Sequence, residues 1–153
     1  MAKKRPVSYG KITNKRAKFD YDLKQDYVAG IVLNGKETKS LRKSHGHLRG
    51  AYVTFKNNEP YLTNATITGD SAINIPEEEQ TKPRKLLLHK KELSQLIDAK
   101  NQGLTIVPLE LLIRGRFIKV RISAGRGKKH YDKRNALKKR SAARDASREL
   151  KLR

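Results

Sequence analysis

Residues 104–122 read LTIVPLELLIRGRFIKVRI, and this stretch decides the fold. Leu104 to Ile113 is an apolar run of strand-forming residues. Pro108 within it cannot donate to a hydrogen-bonded ladder, so the run lies at an edge or carries a bulge. Arg114-Gly115-Arg116 supplies a turn. Beyond it, Ile118, Val120 and Ile122 alternate with Lys119 and Arg121. That is the two-residue period of a strand with one face in the core and one basic face.

Working outward, the rest of the body also reads mostly as strand. Ile31-Val32-Leu33 is a short buried run. Ala51 to Phe55 and Tyr61 to Ile67 flank Lys56-Asn57-Asn58-Glu59-Pro60, the pattern of a hairpin around a short Asn-Asn loop. Two helices interrupt the strands. Asn34 is a good N-cap, and Glu37 three residues on completes a capping box, so a helix opens there and ends by Gly46. A second runs from about His89 to Asn101, with Leu93, Leu96 and Ile97 on one stripe and Gly103 as its stop. Gly69 to Pro83, with Glu77-Glu78-Glu79, is a polar loop. The expected fold is mainly β with peripheral helices, an OB-fold-like closed antiparallel barrel followed by a basic C-terminal tail.

The formal charge of +21 on 153 residues is concentrated at the ends. Residues 1–18 hold seven bases and no acid, and form a basic N-terminal arm. Residues 19–124 are the barrel and carry only +5. The tail, residues 125–153, sets twelve Lys or Arg against three acids. Its apolar residues are too few to offset its chain entropy, so it is expected to be disordered when free. Its Ala, Lys, Arg, Leu and Glu are nonetheless helix formers, and a polyanion would let the latent helix form. Two basic ends around a modest body are the layout of a nucleic-acid binder, here RNA.

Without Cys there is no disulfide, thiolate nucleophile or Cys-based metal site. No apolar run is long enough to span a membrane, and the charged start has no apolar segment behind it, so the reading is a soluble, cytoplasmic protein. His45 and His47 could chelate a metal, but no third ligand follows at a recognisable spacing, and they read as solvated loop residues. The chain shows no paired carboxylates, nucleophile elbow or P-loop, so neither an enzyme nor a cofactor is expected.

Two clusters point to RNA. In Pro83 to Lys91, Arg84, Lys85, Lys90 and Lys91 flank three leucines and could hold phosphates, leaving His89 to meet an unpaired base. The alternative is a buried strand with solvated ends. Gly127 to Arg134 interleaves His130 and Tyr131 with Lys128, Lys129, Lys133 and Arg134, a mixture of stacking rings and phosphate-binding cations. Asp132 is placed to cap a helix beginning at Lys133. On these residues alone a ribosomal or ribosome-assembly protein also fits.

Four motifs in order resemble the SmpB (small protein B) family, the partner of tmRNA in bacterial ribosome rescue. They are Asn14-Lys15-Arg16-Ala17 with Tyr21 and Ala29 to Leu33; Gly35 to Arg42; Arg84 to Lys90 with Glu92-Leu93; and Gly127-Lys128-Lys129 with Tyr131 to Arg134. The resemblance implies an RNA-binding adaptor, one copy per tmRNA, bound to the tRNA-like domain. It implies RNA contacts by Asn14, Lys15, Arg16, Tyr21, Arg84, Lys85, Leu87, His89 and Lys90. It implies a tail that enters the decoding centre and the empty mRNA path of a stalled ribosome, through Gly127, Lys128, Lys129, Tyr131, Asp132, Lys133, Arg134, Lys138, Lys139 and Arg140. Elongation factor Tu and alanyl-tRNA synthetase are implied as functional partners through tmRNA. The chain departs from the family pattern at Val28, where a Glu is usual, at Arg42-Lys43-Ser44 and its His45/His47 loop, and in the Gly69–Gln80 loop, which lacks the usual Pro-Tyr.

Overall fold

The computed structural model describes residues 10–128 and 130–151, with the side chains of residues 130–132, 135, 136 and 146–151 left aside. Nine strands and five helices follow one another: β1 (Gly10–Thr13), α1 (Lys15–Asp20), β2 (Tyr21–Ile31), α2 (Gly35–Arg42), β3 (Gly46–His47), β4 (Tyr52–Lys56), β5 (Glu59–Thr63), β6 (Thr66–Ile67), α3 (Glu77–Gln80), β7 (Arg84–Leu87), α4 (Lys90–Asn101), β8 (Thr105–Arg114), β9 (Phe117–Gly127) and α5 (His130–Lys151).

Seven strands make one antiparallel sheet in the order β1-β8-β9-β2-β7-β5-β4, and β3 pairs with β6 beside it. The β8–β9 hairpin pairs Arg114 with Phe117 across Gly115, whose φ of 63° only glycine adopts freely. In β9 the inward residues Ile118, Val120 and Ile122 are buried, as the alternation requires. The ladder slips between Pro108 and Glu110, so Pro108 sits beside a bulge. Asn14 fills the gap: its backbone N–H donates to the Leu109 carbonyl and its side-chain amide to the Pro108 carbonyl at 2.9 Å. A second bulge, in β2 between Leu23 and Asp26, is closed by the Ser123 hydroxyl, which donates to the Gln25 carbonyl at 3.0 Å. Gly125 opposite this bulge has no room for a Cβ, which would lie 2.7 Å from the Asp22 carbonyl oxygen.

The sheet differs from the expected closed barrel. It curls until β4 packs against β8, yet no hydrogen-bonded ladder joins them among the described residues. The reason is β1. It pairs with β8 from Gly10↔Ile113 to Thr13↔Glu110 while β9 takes the other side, so over Glu110–Ile113 β8 has no edge left for β4. The basic N-terminal segment is therefore not an arm along its whole length: from Gly10 it is strand and then helix within the sheet.

Both expected helices form. The capping box of α2 is complete, with Asn34 Oδ1 accepting from the Glu37 N–H at 2.8 Å and Glu37 Oε1 from the Asn34 N–H at 3.2 Å. α2 ends at Arg42, sooner than Gly46, because Ser44 takes a φ of 62° and its N–H turns back to Leu41. α4 follows His89, which stands at the N-cap position without a side-chain capping bond, and buries Leu96. The β4–β5 hairpin turns on Asn57 and Asn58, at φ 53° and 60°, the two left-handed positions of a tight hairpin turn. α1 and α3 were not visible in the periodicity, since six and four residues are too few to show one. α5 is a single helix of 22 residues, about 33 Å at roughly 1.5 Å per residue. It starts at His130, so Asp132 lies inside its first turn rather than at its cap.

The core between the sheet and its helices contains one buried ion pair. Arg84 Nε donates to Glu37 Oε2, and both side chains are almost wholly buried. Arg84 Nη1 donates to the Ala65 carbonyl at 2.8 Å, and Nη2 to the Glu79 carbonyl at 3.2 Å and the Gln80 carbonyl at 3.0 Å. Removing one partner of such a pair strands the other charge in the core, which costs about 3–5 kcal/mol. Arg84→Ala is expected to lower the denaturation midpoint accordingly, while neighbouring exposed Lys85→Ala changes stability by no more than about 0.5 kcal/mol; chemical denaturation of the two variants checks the contrast.

Candidate RNA interface

The outward residues of three adjacent strands make the candidate site. Register puts Lys119 of β9 beside Gly30 of β2, and Gly30 beside Leu87 of β7. Arg121 lies opposite Val28. One step on, the Val32 N–H donates to the Lys85 carbonyl, and Lys85 pairs with Tyr61 of β5. Phe117 opens the outward row of β9 and is 74% exposed. Six large apolar side chains are exposed among the described residues, and four of them, Val28, Val32, Leu87 and Phe117, belong to this face. Gly30 forms its floor, with Leu87 lying close across it: a Cβ there would come 3.3 Å from that of Leu87.

Apolar and aromatic surface that no element among the described residues covers, interleaved with Lys85, Lys119 and Arg121 and edged by Arg114, fits a nucleic acid. On such a surface bases can stack on the apolar side chains while cations meet phosphates. Two of these cations already have acidic partners. Lys85 Nζ lies 3.3 Å from Glu59, and Arg121 Nη1 lies 2.9 Å from Glu110. The Tyr61 hydroxyl at 3.1 Å and the Lys85 ammonium hold the Glu59 carboxyl below its ordinary range, and the same bond raises the Tyr61 phenol. A phosphate at Lys85 therefore displaces a carboxylate instead of meeting a free ammonium.

The residues expected from the sequence divide sharply. Lys85, Leu87, His89 and Lys90 are exposed. Arg84 is not available for phosphate: it is 2% exposed and committed to Glu37. Alternation along β7 explains this, since Arg84 and Leu86 point inward where Lys85 and Leu87 point outward. Asn14 is also taken up, closing the bulge at Pro108. Lys15 and Arg16 are exposed on α1. Tyr21 is half-buried against Ala17, Val107 and Leu109, opposite Gly127. His45 does not stand in a free loop, for its Nδ1 lies 3.8 Å from Asp70, which also holds Lys43 at 3.1 Å. Lys43 and the N–H groups of Ala72 and Ile73 keep the Asp70 carboxyl below its usual range.

In the tail, Gly127 ends β9, and Lys128 is tied to α1. Lys133 and Arg140 face α1, while Arg134, Lys138 and Lys139 are exposed. Lys129 and the side chains of Tyr131 and Asp132 lie outside the described residues. The sequence reading missed Val28, Val32, Phe117, Lys119 and Arg121 as one surface. The basic alternation of β9 was its only sequence signal, because the pairing that sets β9 beside β2 and β7 is non-local.

A family model described as "SmpB protein" matches residues 11–152. The chain is 43% identical to the SsrA-binding protein of Shouchella clausii, over 92% of this chain and 90% of that one. It is 42% identical to the SsrA-binding protein of Synechococcus sp. (strain JA-2-3B'a(2-13)), over 93% and 94%, and 41% identical to that of Sphingomonas elodea, over 99% and 98%. The solved structure "tmRNA-SmpB: a journey to the center of the bacterial ribosome" contains a chain similar at a TM-score of 0.66 and 38% identity, covering 78% of this chain and 85% of that one.

The site makes its own prediction. Stacking of one base on an aromatic ring contributes about 1–3 kcal/mol, so Phe117→Ala should weaken RNA binding by roughly 5- to 150-fold. Because Phe117 supports no core, the melting temperature should stay unchanged; an RNA titration beside a thermal melt checks both.

Proposed function

This chain belongs to the SmpB family, and from that membership we propose how it performs its task as an SsrA (tmRNA)-binding protein in trans-translation on the ribosome. The outer face of β9, β2 and β7 receives the tRNA-like domain of tmRNA, and α5 is the segment presented to the ribosome. The observation that carries this reading is the face itself: Val28, Val32, Leu87 and Phe117 exposed together among Lys85, Lys119 and Arg121. His89 and Lys90, where β7 passes into α4, extend it. As a member of this family the protein is a non-enzymatic RNA-binding adaptor.

Delivery requires a body that holds one RNA and a tail that reads an empty site on another. β9 provides the link. It is 11 residues long, about 36 Å at roughly 3.3 Å per residue, with Phe117 at one end and the root of the tail at the other. In this reading α5 enters the decoding centre and the mRNA path left empty by a truncated message. Tyr131 stacks on a base there, and Lys133, Arg134, Lys138, Lys139 and Arg140 hold phosphates. Elongation factor Tu and alanyl-tRNA synthetase then act on the same tmRNA, in the cytoplasm, with one copy of this chain per tmRNA. No helix among the described residues is long and apolar enough to cross a membrane.

Val28 is this chain's own variation on the face. It lies opposite Arg121, which Glu110 already neutralises in part, so here the position offers packing surface and no acceptor.

Two experiments test the division of labour. Truncation after Lys128 leaves all of β9 in place and should keep most tmRNA affinity while abolishing peptide tagging on stalled ribosomes; normal tagging by the truncated chain would sink the reading. The second asks whether α5 works as an ordered helix. Leu137 lies within it and is 50% exposed, so Leu137→Ala removes little packing. Leu137→Pro breaks the helix at about 3 kcal/mol or more without altering charge. Tagging measured at equal tmRNA binding should fall for Leu137→Pro alone, and equal tagging by both variants would mean that α5 acts as a flexible polycation.

A further inference from the structure

The Phe117 ring is so exposed that packing does not fix its direction; its backbone does. That backbone leaves the two-residue turn Gly115-Arg116, which lies beyond the last ladder pair, Arg114↔Phe117. Gly115 takes a φ of 63° and Arg116 keeps a negative one, the hairpin turn with glycine at its first central position. The carbonyls of both turn residues are taken by one side chain from elsewhere in the chain. Arg42 Nη2 donates to the Gly115 carbonyl at 3.0 Å and to the Arg116 carbonyl at 3.2 Å. Arg42 is the last residue of α2, a helix set firmly in the body: Glu37, Ser40 and Leu41 are buried, and the capping box closes its other end. Charge opposes this approach. Arg114 and Arg116 belong to the same hairpin tip and Lys119 follows on β9, and none of these three cations, nor Arg42, has a carboxylate at salt-bridge distance among the described residues. The two turn carbonyls are what offset the Arg42 charge there.

We propose that Arg42 is a positioning residue for RNA binding: it clamps the Gly115-Arg116 turn to α2, so that Phe117 meets its base from a fixed backbone. The inference rests on the reading of the β9, β2 and β7 face as the surface for tmRNA. Exposed tips with few buried contacts open most easily in a fold. A mobile Phe117 would have to be ordered as RNA binds, a cost that a tip already held in place avoids. Arginine suits the task because its planar fork directs two hydrogens of one nitrogen to two separate acceptors in a fixed geometry. The competing role for a cation at this edge of the face is direct phosphate binding. The two roles differ in what they predict for salt dependence and for the coupling of Arg42 to Phe117.

The test uses the full chain and Arg42→Met, which removes the guanidinium and keeps an apolar stem. Arg42 is only half-buried, so the variant should fold, and a thermal melt should show one cooperative transition as in wild type. Backbone 15N relaxation without RNA reads the clamp directly. Order parameters at Arg116 and Phe117 should be about 0.85 in wild type, as for rigid backbone, and fall toward about 0.6 in Arg42→Met. Against an RNA of the tRNA-like domain of tmRNA, Arg42→Met should bind about 3- to 10-fold more weakly, part of the loss expected for removing the ring. The slope of log K against log salt should stay as in wild type, whereas loss of a phosphate contact would reduce it by about 0.7–0.9. In a Phe117→Ala background Arg42→Met should cost nothing further. The proposal is overturned if the tip stays as ordered in Arg42→Met, if affinity is unchanged, if the slope drops by a full contact, or if the losses at Arg42 and Phe117 add. Phe117→Ala binding as tightly as wild type would overturn the reading of the face and this proposal with it. A weak Phe117→Ala beside a tight Arg42→Met would overturn this proposal alone.

Discussion

The Glu37–Arg84 pair is the constraint on which the rest of the molecule leans. Glu37 caps α2 through one carboxylate oxygen and binds Arg84 through the other, while Arg84 gathers carbonyls from the β5–β6 connection and from α3. Lys82 adds a second cation 3.8 Å from Glu37. Charges so deeply placed are tolerated only when they are hydrogen-bonded, and here the pair makes five hydrogen bonds. The result fixes the phase of β7. With Arg84 and Leu86 inside, Lys85 and Leu87 must face out, and the position of the whole outer face follows.

β9 carries that phase across the molecule. It pairs with β8 on one side and β2 on the other, and its outward row of Phe117, Lys119 and Arg121 lines up with Val28 and Gly30. Its far end is held by the Ser123 and Gly125 arrangement at the β2 bulge, and there the chain leaves for the tail. β9 thus runs as one strand from the outer face at Phe117 to the root of the tail at Gly127.

Electrostatics adds a second theme. In a chain of net charge +21, three of the fifteen acids stand against cations of the candidate face and of the tail: Glu59 at Lys85, Glu110 at Arg121 and Lys11, Asp20 at Arg16 and Lys133. These are surface or half-buried pairs, worth little to stability at physiological salt. They hold the cations ordered and partly neutralised, and under the proposed function a phosphate would have to replace the carboxylate. That favours a closely fitted RNA over diffuse attraction to any polyanion.

The local features of this protein were legible in its sequence. The period-two alternation of β9, the capping box of Asn34 and Glu37, the Asn57-Asn58 turn and the bulge at Pro108 each depend on residues a few positions apart, so the chain announces them itself. The family motifs likewise identified the partner class, and the charge at the ends identified the ligand as a polyanion. What the sequence could not show was pairing between distant segments. Arg84 in a basic cluster looks like a phosphate ligand, and only the 47-residue reach to Glu37 shows that it is buried. Asn14 looks like a surface residue until Pro108, 94 positions on, appears against it. The barrel expected from strand content is not closed by a ladder among the described residues, with β1 taking the Glu110–Ile113 part of the β8 edge, and the candidate interface forms because β9, β2 and β7 become neighbours. Those outcomes are set by which edges and charges meet, and that depends on tertiary pairing energies that no local run of residues encodes.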